Sequence, residues 1–352
     1  MDSAQLHGLA RYLRKEGNDV RAMLVARNGA VVFEWYSAGS SREHNHNVYS
    51  VTKSVVGTVT GIVIDQGKVA SVEVRAGDVF APGTTSTAVA GVSVADLLTM
   101  RSGLARSQAR SPDKQAMALF RRLLRAEDRS AVVRQLDSQG VNGQTFAYGS
   151  TDPELLGAII EKTTGHRLKK LTKLTLFDPL DFKGWRWAFS DDEGRVPASF
   201  GLRLRAVDML KLGELFRLKG QWQGRSVVSR PWVEASTQNH TGNGYGYLWW
   251  TFPRNADARS FAAIGANGQV IHVMPDRHLV FVMASHLKKP TIKKLWRTAL
   301  QKYVLPALSD DKPLPENAAS NELLTAELLA AQHFEPKGRG KLNANQLPEL
   351  LP

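Results

Sequence analysis

The chain of 352 residues contains no cysteine. Disulfides, thiolate nucleophiles and cysteine-ligated zinc are excluded, and the absence leaves the compartment open. Long apolar runs are also missing, none approaching the ~20 residues needed to cross a bilayer. The start, Met1-Asp2-Ser3-Ala4-Gln5-Leu6, has no basic segment followed by an apolar one, so no signal peptide is visible. A cytoplasmic location is expected for the chain as written, and a periplasmic one if a leader has been trimmed away. No Gly-x-Ser-x-Gly occurs, so an α/β-hydrolase nucleophile elbow is unsupported. Phosphate-cradling glycine motifs and His-Glu-x-x-His are absent too, and neither a cofactor nor a metal is expected. The one close histidine pair, His44-Asn45-His46, lies in a polar stretch beside Glu43 and reads as surface.

Negative charge is in short supply: 33 Asp and Glu stand against 46 Lys and Arg, a net charge of +13. From Arg101 to Arg134, nine basic residues face three acidic ones, and Lys288, Lys289, Lys293 and Lys294 form a second group. Such a field attracts polyanions. The basic residues, however, are spread over amphipathic segments with few aromatics between them and no nucleic-acid motif, so a small-molecule partner is expected rather than nucleic acid. Hydrophobic residues make up 43% and charged residues 22%, an ordinary globular balance. Nothing in the sequence speaks to oligomeric state.

Leu6, Leu9 and Leu13 share one side of a helix over residues 4–16. Two β-rich runs, Arg21 to Arg27 and Ala30 to Tyr36, flank Asn28-Gly29, the strongest short hairpin signal. A segment apolar nearly all round then opens at Ser50 and closes at Gly67, and it reads as a helix in the centre of a domain. Residues 95 to 235 are mainly helical with arginine-rich outer faces. Strands are expected over Gly244 to Phe252, Val270 to Met274 and Leu279 to Ala284, and an amphipathic helix over Thr291 to Leu305. The fold class is α/β, of the α+β kind: an antiparallel sheet flanked by helices plus a mainly helical domain. Residues 1–75 and 240–308 form a discontinuous α/β domain, 76–239 the helical one, and 309–352 a tail or arm with a short helical stretch near Glu322 to Gln332.

Ser-x-x-Lys on a helix sets a hydroxyl and an amine on one face, and a lysine kept neutral by burial can take the serine proton. The pattern occurs four times, at Ser50, Ser111, Ser285 and Ser309. Ser111-Pro112-Asp113 looks like a helix cap, Ser285 ends a strand, and Ser309 to Pro313 is a solvated turn. Only Ser50 opens a buried helix, which makes Ser50 and Lys53 the candidate nucleophile and base.

Tyr49-Ser50-Val51-Thr52-Lys53-Ser54, followed by Gly61-Ile62-Val63-Ile64-Asp65-Gln66-Gly67, resembles the first motif of β-lactamase-related serine hydrolases. That group includes class C β-lactamases, D-Ala-D-Ala peptidases, family VIII esterases and 6-aminohexanoate-dimer hydrolases. Four later stretches follow in the family's order: Asp96 to Leu104, Phe146 to Ser150 leading into Glu154 to Glu161, Gly201 to Met209, and Gly244 to Trp250. The resemblance implies a β-lactamase/penicillin-binding-protein-like fold and an acyl-enzyme formed on Ser50. It places Tyr148 at the family's Tyr-x-Asn position, here Tyr148-Gly149-Ser150, with Ser150 facing substrate. Gly265-Ala266-Asn267-Gly268-Gln269 looks like a Gly-x-x-Gly-Gln form of the third motif, better placed than His240-Thr241-Gly242. By alignment the backbone N–H groups of Ser50 and Gln269 form the oxyanion hole, and Asn267 and Gly268 bind substrate. Ala266 stands where Lys or His would meet a carboxylate, so an ester or small amide is expected ahead of a β-lactam or D-Ala peptide. Arg101, Arg203 and Arg205 are candidate substitutes for that cation, and Trp185, Trp187, Trp222 and Trp249 candidate shapers of the cleft. A catalytically silent binding or scaffold protein of the same fold is the alternative of another class.

Overall fold

The structure, a computed structural model, describes residues 1–109, 111–191, 193–255, 258–309 and 314–336. An antiparallel sheet of six strands runs through it in the order β2-β1-β11-β10-β9-β8. Strands β1 (Val20–Arg27) and β2 (Ala30–Tyr36) form the expected hairpin. Its turn residues Asn28 and Gly29 have φ of 51° and 82°, the left-handed pair that a two-residue hairpin favours. A short β3 (Asn45–Asn47) precedes Ser50 and pairs with β5 (Leu202–Arg205), which also pairs with β4 (Arg186–Trp187). A small hairpin follows, β6 (Gln221–Trp222) and β7 (Arg225–Ser226). The chain then adds β8 (Trp250–Asn255), β9 (Ala258–Gly265), β10 (Gln269–Met274) and β11 (Leu279–Ser285). β11 returns to the start of the chain, with Val20 opposite Ser285 and Arg27 opposite Leu279.

Both sheet faces are covered, so the strands alternate between two apolar layers. Met23, Val25, Phe281 and Met283 point to a core completed by α1 (Ser3–Glu16) and α12 (Lys289–Thr298). Ala22, Leu24, Val280 and Val282 point to the larger core around α2 (Val51–Asp65). The remaining helices in chain order are α3 (Ala76–Val79), α4 (Thr87–Ala90), α5 (Val94–Leu98), α6 (Lys114–Arg125), α7 (Arg129–Arg134), α8 (Thr151–Thr164), α9 (Leu168–Thr172), α10 (Ala206–Arg217), α11 (Arg230–Ser236) and α13 (Ala318–Ala331). On α6, Phe120 and Leu123 face inward, while Arg121, Arg122 and Arg125 face solvent.

Several sequence expectations need correction. The strand expected from Gly244 begins only at Trp250, because positive φ at Gly244 (77°) and Leu248 (60°) breaks the extended backbone. β9 was not anticipated, since Ser260, Ala262 and Ala263 lack the branched side chains that mark a strand. His46 is buried on β3 opposite Leu204 rather than on the surface. The cap of α6 is Asp113, with Ser111 Oγ accepting from the Asp113 N–H. Helix α10 falls inside the stretch assigned to the helical domain, yet it packs on the sheet. Gly213 permits the approach, for a Cβ there would lie 2.5 Å from Val280 Cγ1. The helix expected near Glu322 to Gln332 is α13, which begins earlier, at Ala318, and lies along α1, with Arg14 Nε donating to Glu327 Oε1 at 2.6 Å. Residues 310–313 of the expected turn, and those beyond 336, fall outside the described residues.

Helix α2 is buried on every side from Val51 to Val63. Its glycines take the neighbours that side chains would repel. A Cβ on Gly61 would lie 2.3 Å from Trp232 Cδ1, and that indole is held by Nε1 donating to the Gly57 carbonyl at 3.2 Å. Gly61→Ala gains up to about 1 kcal/mol of helix propensity, whereas overpacking a tight core loses about 1–3 kcal/mol. The clash should win. We expect the urea midpoint to fall at an unchanged m-value, and a midpoint at or above wild type would show that the indole yields.

Candidate active site

Ser50 is the residue on which α2 begins, and the preceding backbone is held from three directions. The Val48 N–H donates to the Leu202 carbonyl at 3.0 Å. Asn47 Oδ1 accepts from the Tyr49 N–H at 3.1 Å, and Tyr49 takes a left-handed φ of 47° to turn into the helix. Thr52 Oγ1 donates back to the Tyr49 carbonyl at 2.6 Å. The Ser50 side chain at such a turn has its place set by the backbone around it.

One turn on, Lys53 Nζ donates to Ser50 Oγ at 3.1 Å and to the Ser199 carbonyl at 2.8 Å. The lysine is only 3% exposed and makes no ion pair among the described residues. Burial pulls its pKa down to about 7, with the charge of Glu154 acting in the opposite direction. Near neutral pH a substantial share of the amine is therefore unprotonated and able to accept a proton. The Tyr148 side chain shares a hydrogen bond with Ser50, and its ring centroid lies 5.3 Å from Lys53 Nζ. Burial raises the phenol to about 12, which keeps it protonated, while the Ser50 hydrogen bond pulls it down. The structure thus brings Ser50, Lys53 and Tyr148 into one group.

The surroundings of this group were only partly legible. Trp250 stands 5.3 Å from Tyr148 between ring centroids, and Tyr245 meets both edge-on, at 6.0 Å from Tyr148 and 4.8 Å from Trp250. Together they form an aromatic wall that sequence reading missed, having named Trp249 instead. Trp249 is wholly buried against Phe216 and Phe261 and belongs to the core. Trp187 is buried as well, donating from Nε1 to the Pro197 and Phe200 carbonyls. Ser150 caps α8 and its N–H donates to the Ser107 carbonyl at 2.6 Å. In the next turn Asp152 accepts from Ser102 Oγ at 2.6 Å, and burial lifts its pKa to about 7.

The turn from Gly265 to Gln269 approaches Ser50 from the sheet. A Cβ on Gly265 would lie 2.2 Å from the Val48 carbonyl, so only glycine lets β9 come this close. Asn267 (φ 61°) donates from Nδ2 to the Tyr49 hydroxyl at 2.9 Å. Gly268 sits where a Cβ would strike Ser285 Oγ. Gln269 is 2% exposed, and its amide donates to the Ser285 carbonyl at 2.6 Å, whereas Ala266 is exposed. Of the arginines named as substitute cations, Arg205 is tied to Asp208 at 2.8 Å and to Glu43 at 2.6 Å. His240 lies in a loop, stacked on Tyr247 at 4.3 Å. No group of three or more His, Asp or Glu suited to hold a metal is found among the described residues. No described helix is long and apolar enough to cross a membrane.

Known proteins resemble the chain in sequence and in fold. The chain is 27% identical over 299 residues to a 6-aminohexanoate-dimer hydrolase from Paenarthrobacter ureafaciens, covering 79% of this chain and 75% of that one. Its fold matches the octameric penicillin-binding protein homologue from Pyrococcus abyssi with a TM-score of 0.68 at 20% identity, over 90% of this chain and 80% of that one. It also matches EstCE1, a hydrolase with promiscuous acyltransferase activity, with a TM-score of 0.68 at 17% identity, over 86% and 98% of the two chains. The family profile described as β-lactamase spans residues 9–304, from the second half of α1 to the helical segment after α12. The chain therefore belongs to the β-lactamase family.

Proposed function

We propose that this protein is a serine hydrolase that acts through an acyl-enzyme on Ser50, with an ester or a small amide as substrate. The observation that carries the proposal is the 3.1 Å contact between Ser50 Oγ and a buried lysine whose pKa lies near 7. Neutral Lys53 takes the Ser50 proton as Oγ attacks the substrate carbonyl. Tyr148 relays that proton to the departing alcohol or amine, so the leaving group departs neutral and an ester to Ser50 remains. Water then attacks this ester, gives its proton back through Tyr148 and Lys53, and frees the acid.

The tetrahedral oxyanion needs backbone donors fixed before it forms. One is the Ser50 N–H at the head of α2, and the other comes from the Gly265 to Gln269 turn. Gln269 is the residue that alignment names, but its burial favours Ala266, exposed at the end of β9 that meets Val48. Ser150, Asn267 and Gly268 are the residues that the family resemblance assigns to substrate binding. An ester or small amide is supported by Ala266 in place of a strand cation and by the ion pairs that occupy Arg205. The names of the hydrolases it resembles point the same way.

Ser50→Ala should abolish turnover with little change in melting temperature, and Lys53→Ala should fall to a similar residual rate. Because the pair acts as a unit, the double variant should be little worse than either single one. A protonated lysine cannot accept the serine proton, so wild-type kcat/KM should fall as pH drops through about 7. Full activity in Ser50→Ala would remove Ser50 as the nucleophile, whereas no turnover and no labelling of wild type by a fluorophosphonate would leave the silent-scaffold reading standing.

Tyr148→Phe keeps the ring packing and removes the proton relay. Its kcat should drop roughly 10² to 10⁴-fold, the range for a positioned acid–base group. An unchanged kcat would return Tyr148 to a packing role.

Penicillins and D-Ala peptides carry a carboxylate, for which Asn267 can offer only a neutral hydrogen bond. Losing the charge-assisted one costs roughly 1.5–3 kcal/mol, or about ten- to a hundredfold in kcat/KM. The enzyme should therefore prefer p-nitrophenyl butyrate to nitrocefin on one preparation. The reverse order would restore β-lactamase or D-Ala-D-Ala carboxypeptidase activity as the better reading.

A further inference from the structure

Glu154 lies in the first turn of α8, beyond the loop that carries Tyr148, and takes no direct part in the reaction described above. Its carboxylate is 6% exposed. Oε1 accepts from the Ser199 N–H at 3.1 Å and from Ser199 Oγ at 2.6 Å, while Oε2 accepts from the Ala198 N–H at 3.0 Å. The carbonyl of the same Ser199 receives Lys53 Nζ at 2.8 Å. Ser199 has no exposed surface, so its carbonyl has no other means of changing place without disturbing this contact. The sequence separation is large: Lys53, Glu154 and Ser199 come from α2, α8 and the loop before β5.

We propose that Glu154 is a positioning residue: by clamping the 198–199 backbone it sets where Lys53 Nζ rests, and it supplies the negative charge beside that amine. This rests on Lys53 being the group that takes the Ser50 proton. Three donors converge on the two carboxylate oxygens, and they favour the ionised form. A glutamine there would have to turn an NH2 group towards at least one of them.

The charges around the pair are few. Burial lowers the Lys53 pKa, and Glu154 from α8 is the charge that works against it. From the loop before α8, Lys53 faces only the neutral Tyr148 phenol. Burial raises the Glu154 pKa, and after the Ser199 and Ala198 hydrogen bonds the charge of Arg129 on α7 lowers it again. Arg129 lines, with Glu154, a cavity of about 400 Å³ whose other charged residues are Asp128, Arg134, Glu161, Lys162, Arg167 and Arg195. Its Nε is buried without a hydrogen-bond partner among the described residues. Arg167 and Arg195 are ion-paired with Glu161 and Glu193, so Arg129 is the cation that bears on the carboxylate.

The test is the acid limb of kcat/KM for p-nitrophenyl butyrate in wild type, Glu154→Gln, Glu154→Asp and Ser199→Ala, each paired with Ser50→Ala as background. Removing the negative charge destabilises the ammonium, so Lys53 loses its proton more easily and the acid limb of Glu154→Gln should move to lower pH by about one unit. Looser placement of the amine should lower kcat roughly tenfold with KM within about threefold. Glu154→Asp keeps the charge and should return the acid limb towards wild type. Should Glu154→Gln fail to fold, Ser199→Ala reads the same effect, for it removes the shortest donor to the carboxylate and should shift the limb the same way by less. An acid limb at the wild-type position or above it, in whichever of the two variants folds, overturns the inference while Ser50-dependent hydrolysis stands. Hydrolysis that survives Ser50→Ala in wild type instead removes the reading beneath it, and the Glu154 proposal with it.

Discussion

A lysine kept out of water and without an ion-pair partner in contact is the constraint around which the rest of this fold is arranged. Moving an ammonium into a dry interior costs several kcal/mol, and the group responds by giving up its proton. The unfolded chain holds that proton up to a pH of about 10.4, whereas the folded one releases it near 7. Between those limits the unfolded state binds more protons, so stability contributed at this residue rises with pH and is least below 7. Protonation of Lys53 thus opposes the folded arrangement.

Keeping Lys53 dry requires a helix with no wet face. Val51, Val55, Val56, Val59 and Val63 give α2 that character, and each apolar side chain fully buried adds about 1.5–3 kcal/mol. Gly57 and Gly61 remove the bulk that would hold Leu248 and Trp232 away. Tyr148, Tyr245 and Trp250 pack together, so the hydroxyl that shares a hydrogen bond with Ser50 sits on a ring held edge to face against Tyr245. Rigidity here comes from packing on all sides rather than from strong individual bonds.

How much of this could be read from the sequence depends on whether a feature leaves letters behind. Ser50 and Lys53 do, because helical spacing and the apolar run after them are properties of the string itself. The β1–β2 hairpin does too, through Asn28-Gly29. Ser199 leaves none: what it offers Lys53 is a backbone carbonyl, which every residue possesses, and its partner lies 146 positions away. Glu154 was visible only as part of a matching stretch, since a buried carboxylate looks in sequence like any exposed one on a helix. β9 hid behind alanines and serine that pack well only because Gly265 brings its end against Val48. His46 and Trp249 show the reverse error, residues of polar or functional reputation that the fold spends on its interior.

The pairing of β1 with β11 carries a temporal meaning. The first and last strands of the sheet are neighbours, and even the Asp2 N–H donates to the Ala307 carbonyl at 2.9 Å. During synthesis α2 leaves the ribosome complete at Asp65, some 200 residues before Gln269 opens β10. Until then its valines have no sheet to lie against, and contacts this distant in sequence form slowly. A nascent chain in that interval presents an apolar helix and an unpaired β1 edge together, the surfaces that drive misassembly and recruit chaperones. The dry surroundings of Lys53 are therefore among the last parts of the molecule to exist, complete only when β11 has paired with β1.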